Sequence, residues 1–157
     1  MRINNGTAKY ILSMVILKTG INEAVFTLNE KFDFYSPSVS SYSDLFYYFR
    51  IENELNHSTI DFAKTALQDT GDARRFNRFV ISVTHSATAS AGTNETWDRQ
   101  YDIHLFGQND DLGSGWNYTV WGCQGPIPTS GTMSLPSMTQ SNPPVVLETG
   151  RIRLTDQ

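Results

Sequence analysis

A chain of 157 residues with a formal net charge of −4 has length for one well-filled core and too little for two. Sixteen acidic against twelve basic side chains argue against nonspecific attraction to nucleic acid or to an anionic membrane as its main task. The single cysteine, Cys123, excludes an internal disulfide and a cysteine-rich zinc site, which leaves packing to hold the fold.

The first apolar run, Tyr10 to Leu17, follows Arg2 and Lys9 much as a secretory signal would. Lys18 closes it early and no small-residue cleavage pattern follows, so it reads as a strand in a protein made and assembled in a cytoplasm. Two-residue alternation then recurs along the chain. Ala24, Phe26 and Leu28 share one face, as do Leu45, Tyr47, Phe49 and Ile51, and then Ile60 and Phe62. Phe62 to Asp72 fits either a short helix or a turn. Further rows are Phe79, Ile81 and Val83, then Tyr101, Ile103 and Leu105, then Trp116, Tyr118 and Val120. The last strand carries Val145 and Leu147 on one parity and Ile152 and Leu154 on the other, which predicts a bulge at Gly150. Tyr47, Phe49, Phe79, Ile81, Ile103, Trp116, Tyr118 and Val120 are the expected shared core.

These rows amount to about eight strands without long intervening helices, which predicts an all-β fold. The expected form is one antiparallel β-sandwich over residues 1–157, Ig-like or jelly-roll-like. Between Gly125 and Pro144 lies a long Pro/Ser/Thr-rich stretch containing Pro126, Pro128, Pro136, Pro143 and Pro144. Its composition predicts an extended arm that reaches across a neighbouring molecule and adds little to the core.

Side chains that could carry chemistry are scattered. His57, His85 and His104 lack metal-ligand spacing and read as surface residues. Cys123 beside Trp121 has no neighbouring base and reads as a structural thiol. Asn109 to Gly115 resembles a hairpin turn more than a cation loop. Asp98, Asp102 and Glu52 could supply paired carboxylates, but nothing in the sequence brings any two together. No cofactor, metal or catalytic set is expected, and the chain reads as a non-enzyme. Arg74, Arg75 and Arg78 suit a charged strand start that pairs with acidic groups on a neighbouring strand or subunit better than a nucleic-acid grip. Phe46 and Tyr48 fall on the outward parity of their strand, which implies either a second packed layer or a subunit interface.

Several short motifs occur in a telling order: Val25-Phe26-Thr27-Leu28-Asn29-Glu30-Lys31, Leu45-Phe46-Tyr47-Tyr48-Phe49, Arg75-Phe76-Asn77-Arg78-Phe79-Val80-Ile81, Gly115-Trp116-Asn117-Tyr118-Thr119-Val120 and Leu147-Glu148-Thr149-Gly150-Arg151-Ile152. In this order the chain resembles small all-β virion structural proteins of tailed phages, including crAss-like phages and others that infect Bacteroidetes. The resemblance implies a non-enzymatic virion protein made in the host cytoplasm, either an auxiliary capsid or decoration protein or another head-associated one. Its partners would be copies of itself and the major capsid, portal or tail proteins, with no specific nucleic acid and no membrane. The expected assembly contacts are Phe46, Tyr48, Arg74, Arg75, Pro126, Pro128, Pro136 and Pro143. The alternatives are a neck or tail structural protein, or a carbohydrate-binding module using Trp97 and Tyr101 near Asp98 and Arg99.

Overall fold

The computed structural model describes residues 14–28, 45–55, 57–71, 76–86, 96–97, 102–106, 113–125, 127–139 and 143–155. These are almost all strand: β1 Met14–Lys18, β2 Gly20–Phe26, β3 Leu45–Asn53, β4 Thr59–Thr65, β5 Asn77–Ser86, β6 Ile103–Phe106, β7 Gly113–Gln124 and β8 Val145–Thr155. Each expected alternating run falls on a strand, except that Leu28 lies just past β2 and Tyr101 lies outside the described residues. The stretch after Phe62 continues β4 and ends in a one-turn 3-10 helix, Ala66–Gln68. Five strands form one sheet in the order β1-β8-β7-β3-β4, and three form a smaller sheet in the order β2-β5-β6.

The expected antiparallel pattern holds for most neighbours and fails at two. β1 runs parallel to β8, and β5 runs parallel to β6, so the sheets are mixed. Side-chain alternation specifies which face of a strand is buried and is silent on the direction of its neighbour. A parallel pair needs a crossover of a dozen or more residues, and the chain between Ser86 and Ile103 is long enough to make one. The hairpin expected around Asn109 to Gly115 also fails. β6 lies in the small sheet and β7 in the large one, so the connection between them passes from sheet to sheet.

Gly20, at φ +112, makes the tight corner by which the chain leaves β1 in the large sheet and enters β2 in the small one. That torsion is open to glycine at little cost. Asn22 braces the corner, accepting from the Lys18 amide at 2.9 Å and donating to the Lys18 carbonyl at 2.8 Å.

The two sheets share one aromatic core. Phe26 of β2 meets Phe49 at 5.4 Å and Tyr118 at 5.8 Å, while Phe79 of β5 meets Tyr47 at 5.5 Å and Phe49 at 5.8 Å, all edge-on. Phe49 also stacks on Phe62 of β4 at 4.7 Å. Edge-to-face pairs of this kind add to the gain from burial. The eight expected core residues all lie in this cluster.

Polar clasps tie the rims. Asp69 accepts from the Arg78 and Gly71 amides and from Asn77 Nδ2, and Asn77 Oδ1 accepts from the buried Leu28 amide at 2.8 Å. Asp102, held at φ 52, accepts from the Ser82 amide and pairs at 2.9 Å with Lys64, whose side chain is 8% exposed. Asp102 thus ties Lys64 of β4 in one sheet to Ser82 of β5 in the other. Glu148 accepts from the Tyr118 hydroxyl and from Thr27, so it links β7 and β8 to the end of β2.

The parity switch in β8 is real, but the glycine does not cause it. Gly150 pairs in register with Tyr118, and its φ is not positive. The register slips between Val120/Glu148 and Trp121/Val146. Leu147 and Glu148 therefore both oppose Val120, a bulge that lets Leu147 fill the core while Glu148 reaches Tyr118.

Gly71 has a separate constraint. A Cβ there would lie 2.7 Å from the Phe76 carbonyl oxygen and 2.8 Å from the Arg78 nitrogen, backbone atoms that cannot swing aside. Gly71→Ala should destabilise the fold by about 1–3 kcal/mol. Thermal denaturation checks this, and an unchanged midpoint would show that the Asp69 clasp yields freely.

Candidate functional site

β3 is buried on both sides. Its odd residues enter the shared core, and its even residues Phe46, Tyr48 and Arg50 project from the outer face. In register with these three are Cys123, Trp121 and Thr119 of β7 on one side and Thr65, Ala63 and Asp61 of β4 on the other. One end of this face is covered. Trp97 packs edge-on against Phe46 at 6.0 Å and Tyr48 at 5.9 Å, and Met133, Ile127 and Leu135 close over the same cluster.

The cover comes from the Pro-rich stretch. Residues 127–139 of this stretch form a strap on its own sheet, joined to Trp97 by a Trp97 N–H to Gly131 carbonyl bond of 3.0 Å and by an antiparallel bridge between Thr96 and Thr132. The expectation that this stretch adds little to the core is therefore corrected. Met133 is 7% exposed, and the spacing of Ile127, Met133 and Leu135 was a legible apolar signal.

Beyond the strap the face becomes polar. Arg50 donates to both carboxylate oxygens of Asp61, at 2.9 and 3.0 Å, and its guanidinium lies 5.7 Å from the centre of the Trp121 ring. The Tyr48 hydroxyl donates to the same carboxylate. Burial, reinforced by Asp61, pushes the Tyr48 phenol far above its ordinary range, so it stays a neutral donor. The hydrogen bond that Arg50 donates to Asp61 raises the guanidinium above its ordinary range. Tyr118 is shifted upward in the same way by burial and Glu148. Such a network fixes geometry and leaves little proton-transfer capacity near neutral pH.

Of the expected assembly contacts, Phe46 and Tyr48 are 3% and 0% exposed. They belong to a second packed layer of their own chain, the other reading their outward parity allowed. Pro128 and Pro143 are exposed and Pro136 is half-buried, while Arg74, Arg75 and Pro126 lie outside the described residues. Trp97 is buried, so it cannot serve as the platform of a sugar groove, and Asp98, Arg99 and Tyr101 lie outside the described residues. Asp102 and Glu52, the candidate carboxylates among the described residues, do not converge. Asp102 is engaged by Lys64 and Ser82, whereas Glu52 faces His57 at 3.0 Å on the hairpin between β3 and β4. His57 is exposed, and the side chains of His85 and His104 lie outside the description. Among the described residues no three His, Cys, Asp or Glu side chains are grouped to hold a metal ion, and no helix is long and apolar enough to cross a membrane.

What the surface offers is exposed apolar side chains on strands. Met14 and Ile16 stand on edge strand β1 beside Arg151 and Arg153 of β8, and Ile21, Val25 and Val80 stand on the outer face of the small sheet. Comparison with protein-family models, curated proteins and solved structures finds no match to this chain.

Cys123 reports on the strap. Burial pushes its thiol from the ordinary 9.0 up to about 12, so alkylation of the folded protein should be slow at pH 8. Met133→Asp should loosen the cover and speed that alkylation while far-UV dichroism is retained; an unchanged rate would show that the strap does not shield the thiol. The same shifts set the alkaline limit. The folded state holds the Cys123 proton more tightly than the unfolded chain, so its contribution is intact below pH 9 and lost as pH rises toward 12, with Tyr48 and Tyr118 adding losses above pH 10. Denaturant titrations at a series of pH values should show stability falling above pH 9, and Cys123→Ala should delay the onset.

Proposed function

We propose that this chain is a non-enzymatic structural protein of a phage virion, an auxiliary capsid, decoration or other head-associated protein that works in many copies. The motif order described above supports the virion context. The observation that carries the assembly reading is the division of labour among the side chains. The partly buried carboxylates Asp61, Asp69, Asp102 and Glu148 are each engaged in holding strands or sheets together, while several large apolar side chains stand outside.

The two sheets facing each other across one aromatic core support reading the architecture as a β-sandwich with mixed strand directions. In such a body the strand edges are where another chain can add hydrogen bonds. β1 is an edge of the large sheet, and it presents Met14 at 43% and Ile16 at 65% exposure. Contacts of this size are individually weak and gain strength by repetition over a particle. The strap supplies rigidity on the opposite flank, and its exposed Pro128, together with Pro143 just before β8, remains available to neighbours as a loop contact.

Mass spectrometry and electron microscopy of gradient-purified particles test the reading. The chain should copurify at a fixed ratio to the major capsid protein, and its absence from particles would overturn the proposal. Ile16→Glu places a charge at the β1 edge without touching the core, so stability should change by no more than about 0.5 kcal/mol. Incorporation of this variant should fall several-fold. Normal incorporation would show that β1 is not a contact.

A further inference from the structure

The outer face of the small sheet carries a pattern that is complementary to itself. β2 and β5 pair with Glu23 opposite Val80 and Val25 opposite Arg78. The four residues form a rectangle about 6.8 Å along the strands and about 4.8 Å across them. Val25 and Val80, 54% and 47% exposed, occupy one diagonal, and Glu23 and Arg78 occupy the other. Ile21, 77% exposed, follows beyond Glu23 on the same face of β2. Arg78 is held in place by its own neighbour, its guanidinium lying 5.3 Å from the centre of the Phe76 ring.

We propose that this face binds the same face of a second copy of the chain through a twofold axis lying along the Val25–Val80 diagonal. Rotation about that line turns the face over onto itself. It sets Val25 against Val25 and Val80 against Val80 of the other copy, and it sets each Glu23 against the other copy's Arg78. The strands of the two copies then cross at about 70°, nearer to the orthogonal than to the aligned way for sheets to pack face to face. A twofold contact is isologous, so one complementary pair is made twice. The other twofold axes that keep these rectangles in contact fail on charge or on burial. An axis along the Glu23–Arg78 diagonal sets Glu23 against Glu23 and Arg78 against Arg78, an axis across the strands sets Glu23 on Val25 and Arg78 on Val80, and an axis along them sets Glu23 on Val80 and Arg78 on Val25.

This inference deepens the assembly reading and rests on it only for its purpose in a particle; the contact itself is a property of the isolated chain. A patch this small predicts a weak dimer that high salt loosens. Sedimentation of the purified full chain from about 10 μM to about 1 mM should show concentration-dependent dimers.

The charge pair makes the test specific. Glu23→Arg and Arg78→Glu, each alone, set like charges together twice and should weaken the dimer by at least about tenfold. An equimolar mixture of the two variants sets opposite charges together at both contacts and should restore association, as should the double variant. Dichroism melts confirm that each variant is folded, and Arg78→Gln, which should weaken the dimer less, replaces Arg78→Glu if the latter unfolds. A wild-type chain that stays monomeric, or single variants whose mixture fails to associate, would overturn the proposed contact. Particle composition is a separate measurement: absence from particles would overturn the virion reading and leave the dimer standing.

Discussion

Everything in this molecule is arranged around one strand that is buried on both sides. β3 runs through the large sheet with Leu45, Tyr47, Phe49 and Ile51 in the core and Phe46 and Tyr48 beneath the strap. A strand in a two-layer protein normally keeps one face wet. Here the consecutive aromatic residues of β3 demand two covers. The small sheet provides one through Phe26 and Phe79, and the strap with Trp97 provides the other. The Pro-rich stretch is therefore part of the solution to burying β3, and only its exposed portions are available for contacts outside the molecule.

The same demand accounts for where polar groups sit. Burying both faces of a central strand leaves the rims of the layers as the places where chain direction must change. Carboxylates are stationed there: Asp102 with Lys64, Asp69 with Asn77 and the Arg78 amide, Glu148 with Tyr118 and Thr27. Lys64 lies on the core side of edge strand β4, opposite Tyr47, where a charge is tolerated because Asp102 meets it. Isolated replacement of either partner would strand the other in a poorly hydrated site, which makes these clasps structural first.

Much of this was legible in the sequence because period-two alternation reports directly on burial. Phe79, Ile81, Trp116, Tyr118 and Val120 could be assigned to a common core from parity alone. Strand direction and sheet membership were not legible, since β6 alternates as it would beside any neighbour, parallel or antiparallel. The bulge in β8 was visible as a change of parity, but the eye is drawn to Gly150, whereas the extra residue is Leu147. Phe46 and Tyr48 posed a true ambiguity. An outward aromatic looks the same in sequence whether its cover comes from its own chain or from another, and only the placement of Met133 and Trp97 decides between them. The diagonal of Glu23 and Arg78 was beyond sequence reading altogether, because it exists only once β2 and β5 are set in register.

The parallel pairing of β1 with β8, Met14 opposite Arg151 and Leu17 opposite Leu154, joins the first described strand to the last. That has a temporal consequence. During synthesis β1 emerges well before its neighbour in the sheet, so the large sheet cannot close until β8 has followed. Contacts so distant along the chain carry a high loop-closure cost and slow the final step of folding. Until then Leu17 and the inner face of β1 wait without their cover. The β1 edge of the large sheet therefore forms only once β8 is in place, and a product cut short before β8 would lack that edge.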